Sequence, residues 1–176
     1  QPLKWNRAAQ IKHDAWTAFR DSNPSLTDAE MEARGFIKPT RPKVFCASLA
    51  DVFDNQVPEE WRADLWRLIA QTPHLDWLLL TKRPQNIAKM LPNPRLMKRW
   101  PWPNVWLGTT VENQEEADRR IPHLLAVPAA KRFLSCEPLL GPVDLDGWLP
   151  GNSTCEGCDD DHAGGRRRCS RDDIPR

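Results

Sequence analysis

The stretch Trp77-Leu78-Leu79-Leu80-Thr81-Lys82-Arg83 decides the fold class. Its large apolar residues follow one another without a polar gap, so it reads as a strand covered on both sides, as in a parallel sheet. It then stops abruptly in a hydroxyl and two cations. The same phrasing recurs at Val44-Phe45-Cys46-Ala47-Ser48, at Val105-Trp106-Leu107-Gly108-Thr109-Thr110 and at Arg132-Phe133-Leu134-Ser135-Cys136-Glu137-Pro138. Roughly 30 residues separate one run from the next, the length of a strand-helix-strand unit. The expected fold is therefore α/β, with at least four parallel strands in sequential order. Right-handed crossovers would curve such a sheet into a barrel wall with its helices outside, and a doubly wound sheet is the alternative.

In parallel folds, ligands bind beyond the carboxyl ends of the strands. The polar residues fall there: Ser48 and Asp51, then Thr81, Lys82 and Arg83, then Thr109, Thr110, Glu112 and Asn113, then Ser135 and Glu137. Lys82 and Arg83 suit a phosphate or carboxylate, with Arg better at bidentate binding. Glu112 and Glu137 suit a ribose hydroxyl, an amine or a proton in transit. The competing reading is a structural ion-pair network of Arg83 with the two glutamates at the mouth of the sheet.

The segments between the runs read as helices. Residues 1–40 form a helical insertion, with Ile11, Ala15 and Phe19 on one face, a capping box at Thr27-Asp28-Ala29-Glu30 and a stop at Gly35. Residues 41–149 are the repeating part. Asp54 or Asn55 would cap a helix opening near Pro58, with Trp61, Leu65, Leu68 and Ile69 toward the sheet. Pro84 opens a short helix with Ile87 and Leu91, and residues 92–103 form a Pro-rich loop. Asn113 would cap a helix burying Ala117 and Ile121, which Pro122 should end or kink. Residues 150–176 are rich in Gly, Asp, Arg and Cys and cannot bury a core of their own. There, Cys155, Cys158, His162 and Cys169 have a donor set that suits tetrahedral Zn²⁺, with disordered free thiols as the alternative.

Composition excludes several classes. Net charge is +1, which gives no global field toward nucleic acid or an anionic membrane. Charged residues make up 28% of the chain and no apolar run approaches ~20 residues, so no transmembrane helix is expected. Five cysteines, an odd number with two in predicted strands, fit a reducing cytoplasm. The chain opens at Gln1 without a signal pattern and reads as a fragment. No Gly-rich dinucleotide or P-loop motif follows any strand, and neither a zincin nor a nucleophile-elbow motif is present. His13 and His74 read as incidental and His123 as a surface residue.

Several phrases resemble a bacterial and phage-borne family, the phage gene-product thirty-seven/sixty-eight family. They are FCASLADVF at Phe45 to Phe53, LTKRP at Leu80 to Pro84, NVWLGTTVEN at Asn104 to Asn113, ADRRIP at Ala117 to Pro122 and FLSCEPLLGPVDL at Phe133 to Leu145, with QPLKWN at Gln1 to Asn6. The family is similar to divergent radical S-adenosylmethionine proteins. The resemblance implies a partial TIM-type (βα) barrel, S-adenosylmethionine at the strand-end lip, and a [4Fe–4S] cluster held by three cysteines upstream of this chain. It also implies a further strand downstream, with a Gly-Gly-Glu-Ser phrase. None of the five cysteines here matches the cluster motif, so the resemblance implies an interior piece, inactive alone. Three functions compete. The first is the middle of a radical S-adenosylmethionine-type enzyme with a small-molecule cofactor or substrate. The second is a nucleic-acid-associated phage accessory protein, against which the near-neutral charge counts. The third is a truncated remnant.

Overall fold

Four short parallel strands carry the chain, and each coincides with one of the apolar runs. A computed structural model describes residues 1–46, 50–93 and 100–148. The order is α1 (Pro2–Ser22), α2 (Asp28–Ala33), β1 (Lys43–Cys46), α3 (Glu59–Ala70), β2 (Asp76–Thr81), a 3-10 turn (Pro84–Asn86), α4 (Ile87–Met90), β3 (Val105–Thr110), α5 (Gln114–Leu125) and β4 (Lys131–Ser135). All neighbouring strands pair in parallel, in the order β1-β2-β3-β4. Because the strands point the same way, their polar carboxyl ends share one edge of the sheet. Among the described residues the sheet stays open rather than closing into a barrel.

Burial alternates along β2, with Trp77, Leu79 and Thr81 buried and Leu78 and Leu80 half-buried. Val105, Leu107 and Thr109 of β3 lie on the same packed side, in one core with Trp66 and Ile69 of α3 and Leu124 of α5. Each fully buried aliphatic side chain there contributes about 1.5–3 kcal/mol relative to exposure. The expectation of strands covered on both faces fits β3, buried at every position but Trp106, and is corrected for the other strands. On the opposite face Phe45 is 49% exposed, and Leu78, Leu80, Trp106 and Phe133 are half-buried. An unbroken leucine run states the strand's length without saying what lies on each side of it.

The helices follow the sequence with four corrections. Helix α3 begins after Pro58 without a side-chain cap, so neither Asp54 nor Asn55 caps it. Its buried face is Arg62, Trp66 and Ile69, whereas Trp61 is 67% exposed. Arg62 lays its stem in the core and sends its guanidinium to the carbonyls of Val52 and Val57. That turns the helix toward Trp66, whose ring meets Phe53, Trp100 and Trp102. In α1, Ile11 and Ala15 are exposed; Asn6 and Ala9 are buried instead, and the Asn6 amide oxygen accepts the His74 N–H at 2.8 Å. Pro122 does not end α5, which runs on to Leu125. Its missing N–H falls in the last turn, where the Asp118 carbonyl, on an exposed residue, can turn to water.

The remaining boundary signals read correctly. The Thr27–Glu30 capping box is formed on both sides. Gly35 ends α2 at φ 84°, with Phe36 N–H bonded to the Met31 carbonyl and Gly35 N–H to that of Glu32, a Schellman closure. The Asn113 side chain accepts the Glu116 N–H at 2.9 Å and caps α5, over buried Ala117 and Ile121. No helix of the described residues is long and apolar enough to cross a membrane.

Gly108, at the centre of β3, is required by Phe133 across the β3–β4 pair. A β-carbon at Gly108 would lie 2.3 Å from the Phe133 ring. The ring can swing out over the open face, so Gly108→Ala is expected to cost only about 1–2 kcal/mol, the lower part of the range for overpacking. Phe133→Leu should recover part of that loss in the double variant. Urea unfolding of the three variants checks this, and additive losses would show that the ring is not the cause.

Candidate functional site

The edge made by the strand ends is tied together by carboxylates reaching between loops. Past β1, Asp51 accepts three hydrogen bonds: from Phe53 N–H at 3.0 Å, from Lys82 N–H at 3.1 Å and from the Arg83 guanidinium at 3.1 Å. It thereby joins the ends of β1 and β2. Arg83 also reaches Asp54 at 3.1 Å, and its own N–H is taken by the Thr81 hydroxyl at 2.8 Å. Thr81 is buried, and its carbonyl accepts the Thr109 hydroxyl at 2.9 Å.

A second knot forms past β3. The Glu112 side chain is 9% exposed and lies between two cations, Lys82 Nζ at 2.8 Å and Arg120 Nη1 at 2.6 Å. Arg120, itself 8% exposed, also donates to the Thr110 carbonyl at 2.8 Å. Its Nε stands 2.8 Å from Glu116, off the hydrogen-bonding direction. Glu116 is gripped in turn by Arg119. Burial pushes the Glu112 carboxyl up, but the hydrogen bonds from Lys82 and Arg120 and the charge of Arg120 outweigh it, so its pKa falls below the ordinary value. Glu112 is therefore a held anion rather than a proton donor near neutrality.

The candidates thus separate into groups. Asp51, Thr81, Lys82, Arg83, Thr110 and Glu112 are connected. Asn113 is occupied as a helix cap. Ser135 is half-buried at the end of β4, where its carbonyl accepts Val111 N–H, and Glu137 is exposed beyond it. The proposed pairing of Arg83 with both glutamates is corrected: Arg83 pairs with Asp51 and Asp54, and Glu112 takes Lys82 and Arg120. Ser48, Cys155, Cys158, His162 and Cys169 lie outside the described residues. Among the described residues no group of three or more His, Cys, Asp or Glu is placed to hold a metal ion. Cys46 and Cys136 are half-buried and unbridged, and burial pushes the Cys46 thiol up.

Sequence reasoning missed Asp54, Glu116 and Arg120. Arg120 had a signal: it follows Glu116 by four positions on α5, a spacing that places two side chains on one helical face. A charged residue between Ala117 and Ile121 reads as solvated until the neighbouring strand end supplies a carboxylate.

A family model described as "Protein of unknown function (DUF5131)" matches residues 1–163. No curated protein and no solved structure matches.

Proposed function

The chain belongs to the DUF5131 family, and we propose that its strand-end edge is the ligand-holding lip of a partial βα barrel in a radical S-adenosylmethionine-type protein. One observation carries this reading: the buried Glu112, clamped by Lys82 and Arg120 where a parallel sheet offers its ligand site. A buried ion pair is weak support for stability, because desolvation offsets most of the attraction. A carboxylate whose pKa is shifted by burial and specific charge partners at a strand-end edge is a functional-site candidate. The lip chemistry suits an amino-acid moiety. Lys82, 57% exposed, offers an ammonium to a carboxylate, and the exposed Glu137 offers a carboxylate to an ammonium.

The described residues do not fit the iron–sulfur cluster. Cys46 lies on β1 and Cys136 just past β4, three strand spacings apart, or roughly 14 Å. No step is assigned to them.

The test is calorimetric titration of S-adenosylmethionine into the full-length gene product and into Lys82→Met and Glu137→Ala. Glu137 is exposed, so Glu137→Ala should keep its melting temperature. Lys82→Met leaves the buried Glu112 with Arg120 alone and should melt lower, so binding is measured well below both melting temperatures. Each variant should bind about tenfold more weakly, the loss of one charge-assisted contact. Absence of binding by the parent protein, or unchanged affinity in both variants, overturns the reading.

A further inference from the structure

A cavity of about 450 Å³ opens between the 3-10 turn and α5, lined by Lys82, Arg83, Gln85, Arg119, Arg120 and His123. Four of these six residues are cations, and no carboxylate is among them. We propose that this cavity is an anion site for a phosphate dianion, either inorganic or the terminal group of a small phosphomonoester.

The arrangement of the acids supports the assignment. Asp51 and Asp54 hold Arg83, Glu112 holds Lys82 and Arg120, and Glu116 holds Arg119 and Arg120. None of these carboxylates lines the cavity. They engage part of each cation's N–H donors and hold the side chains in place, leaving the remaining donors for an entering anion. Side chains already ordered lose less entropy when the ligand arrives. Each guanidinium carries five N–H donors in a planar fork. Arg119 commits Nε and Nη2 to Glu116, and Arg83 commits Nη1 and Nη2 to its two aspartates. Donors remain on both forks for phosphate oxygens.

The lining also selects among anions. Its one ring is the His123 imidazole, with no Phe, Tyr or Trp to make a stacking platform, which counts against a nucleobase as the anchor. On α5 the cations are flanked by Glu115, Glu116 and Asp118, so the positive surface does not continue as a track for a polynucleotide. The volume exceeds a bare phosphate and falls within the range of small-ligand sites. The cavity shares Lys82, Arg83 and Arg120 with the lip, but Arg119 and His123 are not among the proposed cofactor contacts, so variants there test the anion site separately from the cofactor reading.

The experiment titrates inorganic phosphate, and separately phenyl phosphate, into the chain at constant ionic strength, following backbone amides by NMR. Saturable one-to-one binding is expected, with shifts centred on Gln85 and on α5. Arg119 is 62% exposed, so Arg119→Ala and Arg119→Gln should stay folded, as melting temperatures would verify. Arg119→Ala combined with His123→Ala should weaken binding about tenfold or more, whereas Lys12→Ala on α1 should leave it unchanged. Saturation by phenyl phosphate alone identifies the monoester as the source and still supports the site. Lack of saturation by either probe, unchanged affinity in the double variant, or affinity for an oligothymidylate that rises with its length overturns the proposal.

Discussion

Arg120→Ala is expected to lower the unfolding free energy by about 3–5 kcal/mol, the usual cost of removing one partner from a buried ion pair. Domain stabilities run to about 5–15 kcal/mol in total, so this single truncation threatens the fold. The reason is what it leaves behind. Glu112, 9% exposed, would keep Lys82 alone, and the Thr110 carbonyl would lose its guanidinium donor. Arg120→Lys should rescue only in part, because one ammonium cannot span the Thr110 carbonyl, Glu112 and Glu116 as the planar fork does. Glu112→Gln in the Arg120→Ala background should recover stability, since it removes the stranded charge.

The same pair sets a pH dependence whose sign is fixed. The folded pKa of Glu112 is depressed, so its stabilisation is fully present above the unfolded value, about 4.3, and is lost as the pH falls through the folded value. Without Arg120, burial is opposed by Lys82 and the residue's own backbone N–H, and the folded pKa moves up. Protonation then relieves the variant in a range where it still costs the parent. The penalty of Arg120→Ala should therefore be largest near neutrality and shrink toward acid. Urea unfolding at pH 7 and pH 4 measures both quantities. A loss under about 1 kcal/mol at pH 7, or one that grows on acidification, would contradict this account.

The fold was legible because the β-strands are written in consecutive apolar residues, and the regular spacing fixed their order. A run such as Trp77 to Leu80 needs no tertiary knowledge to be read as a strand. The helix faces were less legible. In α3 the turn toward Trp66 depends on Arg62 burying its stem, which a hydrophobic pattern scores as polar. In α1 the buried polar residue is Asn6, chosen by the His74 amide 68 positions away. The candidate site shows the same division. Its location at the strand ends follows from parallel topology, and Asp51, Lys82, Arg83 and Glu112 were found that way. Their partners were not, because Asp54, Glu116 and Arg120 become neighbours only when loops and a helix fold back over the sheet edge. Local sequence names the charges; tertiary contacts decide how they pair.

Asp51 gives the second large effect, and it separates a carboxylate from its closest isostere. Its side chain is 13% exposed and faces three donors: Phe53 N–H on one oxygen, Lys82 N–H and the Arg83 guanidinium on the other. An ionised carboxylate accepts at both oxygens. An amide accepts at one and donates at the other, so either orientation of an asparagine sets N–H against N–H. Hydrogen bonds to charged groups are worth about 1.5–3 kcal/mol each, and some of that value returns when the loops relax and water enters. Asp51→Asn is therefore expected to cost about 2–4 kcal/mol, close to Asp51→Ala and unlike an ordinary isosteric exchange. Asp54→Asn is the internal comparison. Asp54 shares Arg83 but is 25% exposed and takes only one backbone N–H, that of Gln56, so its loss should be about 1 kcal/mol. Guanidinium unfolding of the three variants, with tryptophan fluorescence as the probe, decides the matter. If Asp51→Asn unfolds within about 0.5 kcal/mol of the parent, the two loops are not held together by this carboxylate. The lip would then be fixed by packing beneath Phe53 rather than by its charges.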